Sequence, residues 1–307
     1  MKRVVFLFIF PFLALGLFAE GQEDAERSGE LLLQVSSLPE AKISFTHSFV
    51  FPFLQGDSPM TENNNITLAL TAELSPISVN GLFKAVWTPI AFFELSAGVR
   101  IGSGWPINLF GADIYGIGLN LSDGGGEAAY SGSAFDALLW KAHIGGTIQF
   151  DLAALFPGDW NHVVALSYHE INYHANTRAK TGQAWYLEND DGENCNGFNY
   201  YGNFLIGYQM PIFLNMVALL AEMELYLYDT PGREMWGDDL IRWTFSGILS
   251  FEITKQFGIA ILAQVRTRRN FVESNWEDLH YQSRSLDTSN PQRLEFYRVA
   301  AAITYRF

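Results

Sequence analysis

Residues 140–151 read Trp140-Lys141-Ala142-His143-Ile144-Gly145-Gly146-Thr147-Ile148-Gln149-Phe150-Asp151. Trp140, Ala142, Ile144, Gly146, Ile148 and Phe150 share one parity. Lys141, His143, Gly145, Thr147, Gln149 and Asp151 share the other. Successive side chains of a strand point to opposite faces, so this stretch is a strand with one apolar and one polar side. Residues 213–228 repeat the pattern, with Val217, Leu219, Ala221, Met223, Leu225 and Leu227 opposite Glu222, Glu224 and Tyr226. So do residues 239–253, 257–269 and 293–307, and less regular versions occupy about 41–54, 64–75, 79–88, 91–104, 161–173 and 198–209. No 3.6-residue periodicity is sustained anywhere, so the chain is expected to be all-β.

The composition narrows the class. Of 307 residues 49% are hydrophobic, 15% aromatic and only 17% charged, which excludes a disordered chain. No segment after the first twenty residues supplies ~20 uninterrupted apolar residues, so a helical membrane bundle is excluded. Nineteen basic residues against 33 acidic ones give a net charge of −14, which argues against nucleic acid as a partner. A single cysteine, Cys195, excludes an internal disulfide and a cysteine-based metal site. Lys2 and Arg3, the apolar run Val4–Leu17 and the small Ala19 before a polar stretch read as a secretory signal over 1–19. Residues 20–29 read as a flexible polar arm, and 30–307 as one barrel domain.

The connections alternate in length. Short ones fall near Pro89, 151–160, Pro211 and Lys255; long polar ones fall at about 105–135, 174–197, 229–239 and 270–292. A transmembrane antiparallel barrel has this asymmetry, with short periplasmic turns and longer extracellular loops. Eleven strands are evident, and Leu31-Leu32-Leu33-Gln34-Val35 supplies a twelfth, making the even number that bacterial barrels use. Ten is the alternative, if 64–88 is one long bent strand. Trp140 and Phe150 lie ten residues apart on one face, as do Tyr297 and Phe307. Ten residues span ~33 Å of strand, and a ~40° tilt projects that onto the ~25 Å apolar band between aromatic girdles. A soluble barrel would gather its aromatics at strand centres instead.

The ending Tyr297-x-Val299-x-Ala301-x-Ile303-x-Tyr305-x-Phe307 resembles the C-terminal assembly signal of bacterial outer-membrane β-barrel proteins. The resemblance implies export across the inner membrane by a Sec-type route, recognition by the barrel-assembly machinery and insertion into outer-membrane lipid of a diderm bacterium. Ala85-Val86-Trp87-Thr88-Pro89-Ile90-Ala91-Phe92 also resembles the periplasmic turns of small spirochaete-type barrels.

With the apolar face outward, the polar face lines a lumen. Arg242, Arg266, Arg268 and Arg298 are expected on one wall, with Arg242 across from Arg268 and Arg298 level with Arg266. Glu222 and Glu224 are expected beside Ser246 and Thr244, facing that basic wall across the bore. Segregated charge of this kind orients polar solutes in a pore; the same residues paired with one another would plug it. The first expectation is therefore a porin-like channel for small polar solutes. The alternative is a closed-lumen barrel that presents acidic surface loops, and a lipid hydrolase comes third. His169 is read as a rim histidine whose face is shared by Ile171, with Glu170 on the lipid side, and no His-x-Ser pair exists. Glu188-Asn189-Asp190-Asp191-Gly192-Glu193-Asn194 reads as a solvated acidic loop without the spacing of a calcium site. Cys195 reads as an incidental loop thiol, and Gly124-Gly125-Gly126 lacks the strand-to-helix context of a phosphate loop. No catalytic residue, metal site or cofactor is expected.

Overall fold

The structure, a computed structural model, describes residues 26–307 apart from 39, 110, 123–127, 189–192, 228–236 and 273–282. The expected leader, residues 20–25 of the expected arm, Gly124–Gly126 and the loop acids Asp123, Asp190, Asp191, Glu273 and Asp278 lie outside the described residues.

Among the described residues are seventeen strands: β1 (Glu26–Ser36), β2 (Ala41–Pro52), β3 (Asn65–Leu74), β4 (Ser78–Ile90), β5 (Phe93–Gly104), β6 (Pro106–Leu109), β7 (Ala112–Tyr115), β8 (Ile117–Ser122), β9 (Ala128–Ser131), β10 (Leu139–Asp151), β11 (Val163–Asn176), β12 (Trp185–Leu187), β13 (Gly197–Gln209), β14 (Leu214–Tyr226), β15 (Arg242–Glu252), β16 (Phe257–Arg269) and β17 (Gln292–Arg306). Twelve of them close into one antiparallel barrel in the order β1-β17-β16-β15-β14-β13-β11-β10-β5-β4-β3-β2. Residues 64–88 form two strands, which settles the count at twelve rather than ten. The segment Leu31–Val35 does form the first strand and joins the last, with Leu33 opposite Ile303. That strand begins five residues earlier than Leu31, at Glu26. Glu26–Gly29, expected in the arm, pair with Val50–His47 of β2.

The apolar parity faces outward throughout. Ile144, Ile148, Ile206 and Leu219 are each more than half exposed although they sit in mid-strand. In water that surface would be untenable, since contiguous exposed apolar patches are small on soluble proteins. It is the surface of a barrel solvated by lipid.

All four long connections leave the rim opposite Phe307. Two further connections on that rim, 37–40 and 75–77, are short, so the wall from β1 to β5 has little above it. The long loops carry the remaining strands. β6 and β7 form a hairpin, while β12, β8 and β9 form a three-stranded sheet that joins two loops. Ile117, Ala137, Leu139 and Trp185 make its buried core at the barrel mouth.

One strand departs from simple alternation. The register of β16 against β17 shifts between Gln264 and Val265, whose partners are Arg298 and Phe296. Tyr297 is the extra residue of this β-bulge, and a bulge re-aims the side chains beside it. Its ring lies inside, under the guanidinium groups of Arg266 (4.2 Å) and Arg298 (4.7 Å). Tyr297 therefore leaves the expected girdle, and Phe296, 65% exposed, takes its place on the lipid side. Val299, Ala301, Ile303, Tyr305 and Phe307 keep the expected outward parity. Phe307 closes the seam through two backbone hydrogen bonds with Gly29, of 2.7 and 2.9 Å.

The two faces predict different tolerance. Leu219→Arg should cost ~2–4 kcal/mol of barrel stability, the usual penalty near the bilayer midplane. Asn203→Arg, inside and next to Glu222, should cost far less. Ser246 is 2% exposed and accepts a 2.8 Å hydrogen bond from Gln264, so a lumen-facing position is not tolerant merely because it faces inward. Urea unfolding of the two variants in bilayers ranks the costs, and equal values for Leu219→Arg and Asn203→Arg would contradict the orientation.

Candidate functional site: a charged lumen beneath a folded cap

The strand pairing brings the expected lumen residues to the inside but pairs them differently. Glu222 stands opposite Thr244 and Glu224 opposite Arg242, one step further along β14 than expected. Arg242 donates to Glu224 at 2.7 Å and covers the ring of Tyr226 at 4.6 Å. Arg266 stands opposite Thr244 on one side, as expected, and opposite Glu295 on the other. Glu295 receives Arg266 at 3.2 Å and Arg268 at 3.7 Å. Arg298, on the terminal side of the bulge, stands opposite Gln264 rather than level with Arg266; it donates to the Gln264 side-chain oxygen at 2.6 Å and ion-pairs with Glu40. Glu222 accepts from the Tyr201 hydroxyl at 2.6 Å. The arginines do not form a positive wall facing a separate acidic wall: each carries its carboxylate on an adjacent strand or turn.

The opposite wall is built likewise. Lys141 bonds Glu170 at 2.6 Å, and Glu170 also accepts from Tyr168 at 2.6 Å and Asn172 at 2.9 Å. Arg100 meets Glu73 at 3.1 Å, and the Lys84 ammonium lies 5.8 Å from the Tyr168 ring centre. Glu170 thus faces the lumen, and His169 faces lipid, the reverse of the expected parity. The segment 163–173 carries apolar and polar residues at both parities, so alternation alone does not orient it. Its pairing with β10 does, because Gly146 on the apolar face stands opposite His169.

Across the mouth the same residue types are buried. Glu193 ion-pairs with Arg269 at the end of β16 and bonds Arg284 at 3.3 Å, and all three are under a tenth exposed. Glu188 receives Lys42 of β2 at 3.0 Å and the Ser78 hydroxyl of β4 at 2.5 Å. The loop that leaves β11 therefore reaches three distant strands of the wall. Trp185 anchors it through a 2.9 Å bond from its indole to Asn196 and an edge contact with His174 at 5.0 Å. Cys195 is buried with Ala184 and Tyr226 in this cap and is no exposed thiol. Neither Glu193 nor Glu188 is a solvated loop acid.

Reading the residues one by one also missed a constellation on the lipid side. The Oγ of Ser167 lies 2.8 Å from Nε2 of His169, whose Nδ1 bonds the Tyr200 hydroxyl of β13. The sequence signal was Ser167-x-His169, the His-x-Ser spacing reversed. A hydroxyl, an imidazole and an orienting group in a row is the arrangement of an activated nucleophile. Its depth argues against that use. One ladder runs Trp87, Leu95, Gly146, His169, Gly202, Met223, Trp243, so His169 is three strands from each tryptophan. With strands ~4.8 Å apart and tilted ~40°, each tryptophan sits roughly 9 Å from it along the barrel axis. The trio is therefore at mid-bilayer, among acyl chains rather than ester groups.

No family model and no curated protein sequence matches this chain. Among solved structures it is similar to the KdgM porin in complex with disordered oligogalacturonate, at 11% identity and a TM-score of 0.39, over 91% of this chain and 99% of that one. It is similar to the β domain of the Bordetella autotransporter BrkA at 10% identity and a TM-score of 0.40, over 92% and 99%. It is also similar to the Salmonella typhi outer membrane phospholipase at 11% identity and a TM-score of 0.24, over 91% and 90%. These neighbours are outer-membrane barrels, and the likeness extends no further than that.

The Glu188 latch carries a pH dependence. Burial raises the carboxyl's pKa, but Lys42 and the Ser78 hydrogen bond outweigh it and hold the group below its ordinary value of 4.5. A depressed carboxylate stabilises the docked loop above that ordinary value and loses its contribution as pH falls through the lowered one. Hydrogen exchange over 184–188 should be slow and flat from pH 8 to 5 after correction for intrinsic rates, and should quicken only below 4.5. Glu188→Gln should be faster throughout and lack the acid step.

Proposed function

We propose that the protein is an outer-membrane channel for small polar solutes whose extracellular mouth is narrowed by its own loops. One contrast carries this reading. On the arginine-bearing wall of the lumen the charged groups remain in contact with solvent space, from 51% exposure at Glu224 to 21% at Arg266, while the cap arginines Arg269 and Arg284 are 5% exposed. Twelve strands at ~40° tilt enclose a backbone diameter of roughly 24 Å, between the filled eight-stranded barrels and the open sixteen-stranded ones. Ion pairs that run along the wall between neighbouring strands and turns leave the axis to water. A lumen lined by paired charge favours solutes that are polar without demanding one sign of charge.

A second reading rests on the buried Glu193 triad. If the cap seals the mouth, the barrel serves as a support that presents its loops to partners outside the cell. In either case the C-terminal strand would be read by the barrel-assembly machinery, since its outward residues and terminal Phe307 fit that signal.

Conductance of the refolded protein in planar bilayers tests the choice. Discrete ohmic steps are expected from the wild type. The double substitution Arg266→Ser and Arg268→Ser leaves the lumen more negative around Glu295, so its reversal potential in a salt gradient should move toward that of a cation-selective pore. A silent wild type that begins to conduct when Glu188 and Glu193 are both changed to Gln would favour the barrel sealed by its cap. Deleting Phe307 should reduce heat-modifiable barrel in the outer membrane while leaving export intact.

A further inference from the structure

The lipid face around His169 carries a cluster of polar side chains. Ser167, His169 and Tyr200 put three polar side chains at mid-bilayer, where every other outward residue on that ladder is apolar or glycine. Their hydrogen bonding does not close on itself. A neutral imidazole supplies one hydrogen and each hydroxyl another, while the two bonds of the trio use two of the three. One hydroxyl hydrogen and several lone pairs are left facing a solvent of methylene groups, which can accept nothing; unsatisfied polar groups are costly there.

The surface beside the trio is also hollow. A shallow depression of about 740 Å³ is lined by Ala85, Ala97, Ile144, Ile171, His169 and Tyr200. Ala85 and Ala97 stand opposite each other across β4 and β5, and the outward positions 146 and 202 are glycines. At the edge of the depression Ile144 and Ile171 project, 66% and 48% exposed. The wall therefore offers a hydrogen-bonding group with two projecting side chains and a recess beside it.

We infer that this wall is the contact face of a dimer formed with a second copy of the chain. Lipid tails can fill the recess but cannot satisfy the trio, so the occupant must carry polar groups at mid-bilayer depth. A second copy does so by symmetry. Two copies inserted with their termini on the same side of one membrane are related by a two-fold axis along the membrane normal, and that operation leaves every residue at its own depth. An isologous contact centred on His169 sets each trio against the other, so the spare hydrogen of one faces the lone pairs of the other. The same operation brings Ile171, the next outward residue of β11, close to its own copy. A polar contact between such surfaces in a membrane gains packing and hydrogen bonds without a hydrophobic driving force.

Donor and acceptor dyes attached to the full-length barrel in lipid vesicles, diluted stepwise with lipid, measure the association. The wild type should show transfer that titrates as a dimer. The triple variant Ser167→Ala, His169→Leu, Tyr200→Phe should associate at least tenfold more weakly while keeping the heat-modifiable migration of a folded barrel. Its unfolding temperature should not fall, because it removes polar groups from lipid. An independent readout uses Cys195→Ala chains carrying Ile171→Cys, which should form disulfide-linked dimers on oxidation. Leu33→Cys, on the opposite wall, should not. A wild type that stays monomeric, a triple variant that associates as strongly as the wild type, or equal cross-linking from both cysteines would overturn the inference.

Discussion

Everything in this molecule depends on the ladder that joins β1 to β17. In hydrocarbon each backbone N–H and C=O must find its partner within the protein, and a sheet with an open edge leaves a full row of them unmet. The first strand is the least obvious in the sequence, yet without it eleven strands would leave β2 and β17 as edges. Extending β1 back to Glu26 lengthens that seam, so that Gly29 reaches Phe307 and the last residue of the chain is held by two backbone bonds. The side chain at 29 matters too. A Cβ there would lie 2.5 Å from the Phe307 ring, so the terminal aromatic packs where only a glycine leaves room.

Closure fixes which parity faces inward, and from there the charges are sorted by water. In the lumen a carboxylate and a guanidinium on neighbouring strands keep part of their hydration, and their attraction is correspondingly modest. At the mouth the same chemistry is dry. Glu193 between Arg269 and Arg284 is the kind of buried group whose partners cannot be removed one at a time without stranding a charge. The cap is thus specified by its ion pairs more than by its small apolar core, and the lumen is conditioned by ion pairs that specify little.

Much of this was legible in residues 140–151 and their repeats, because a membrane barrel turns the core pattern inside out and so makes alternation long and strict. The strand count, the long-loop side and the inward parity of Arg242, Arg266, Arg268 and Arg298 all follow from it. What alternation cannot carry is a shift of phase. The bulge at Tyr297 adds one residue to β17 and turns the odd-numbered positions before it inward, which is why Glu295 becomes the carboxylate of that wall. Nor can it orient β11, where Val164 and Leu166 share the inward face with Tyr168 and Glu170. There the neighbouring strand decides. Glu188 and Glu193 were illegible for a different reason: a loop acid looks the same in sequence whether it meets water or an arginine from a distant strand.

The cap also constrains how any opening could occur. Its main loop begins at β11 but is held by Lys42 and Ser78 on one side, by Arg269 on another, and by pairing of Trp185 with Leu119 from a second loop. A segment fixed at one point can swing on a hinge; one fixed at three separated points cannot. Release of Glu188 alone would leave Trp185 and Glu193 seated, and release of Glu193 alone would leave two buried guanidinium groups beside the cap core. Opening is therefore a cooperative local unfolding of the mouth rather than a rigid motion, and its free energy is set by the drier latch. If the lumen conducts as proposed, solutes small enough to pass the docked loops would not need it, and the cap would act first as a size limit and only second as a gate.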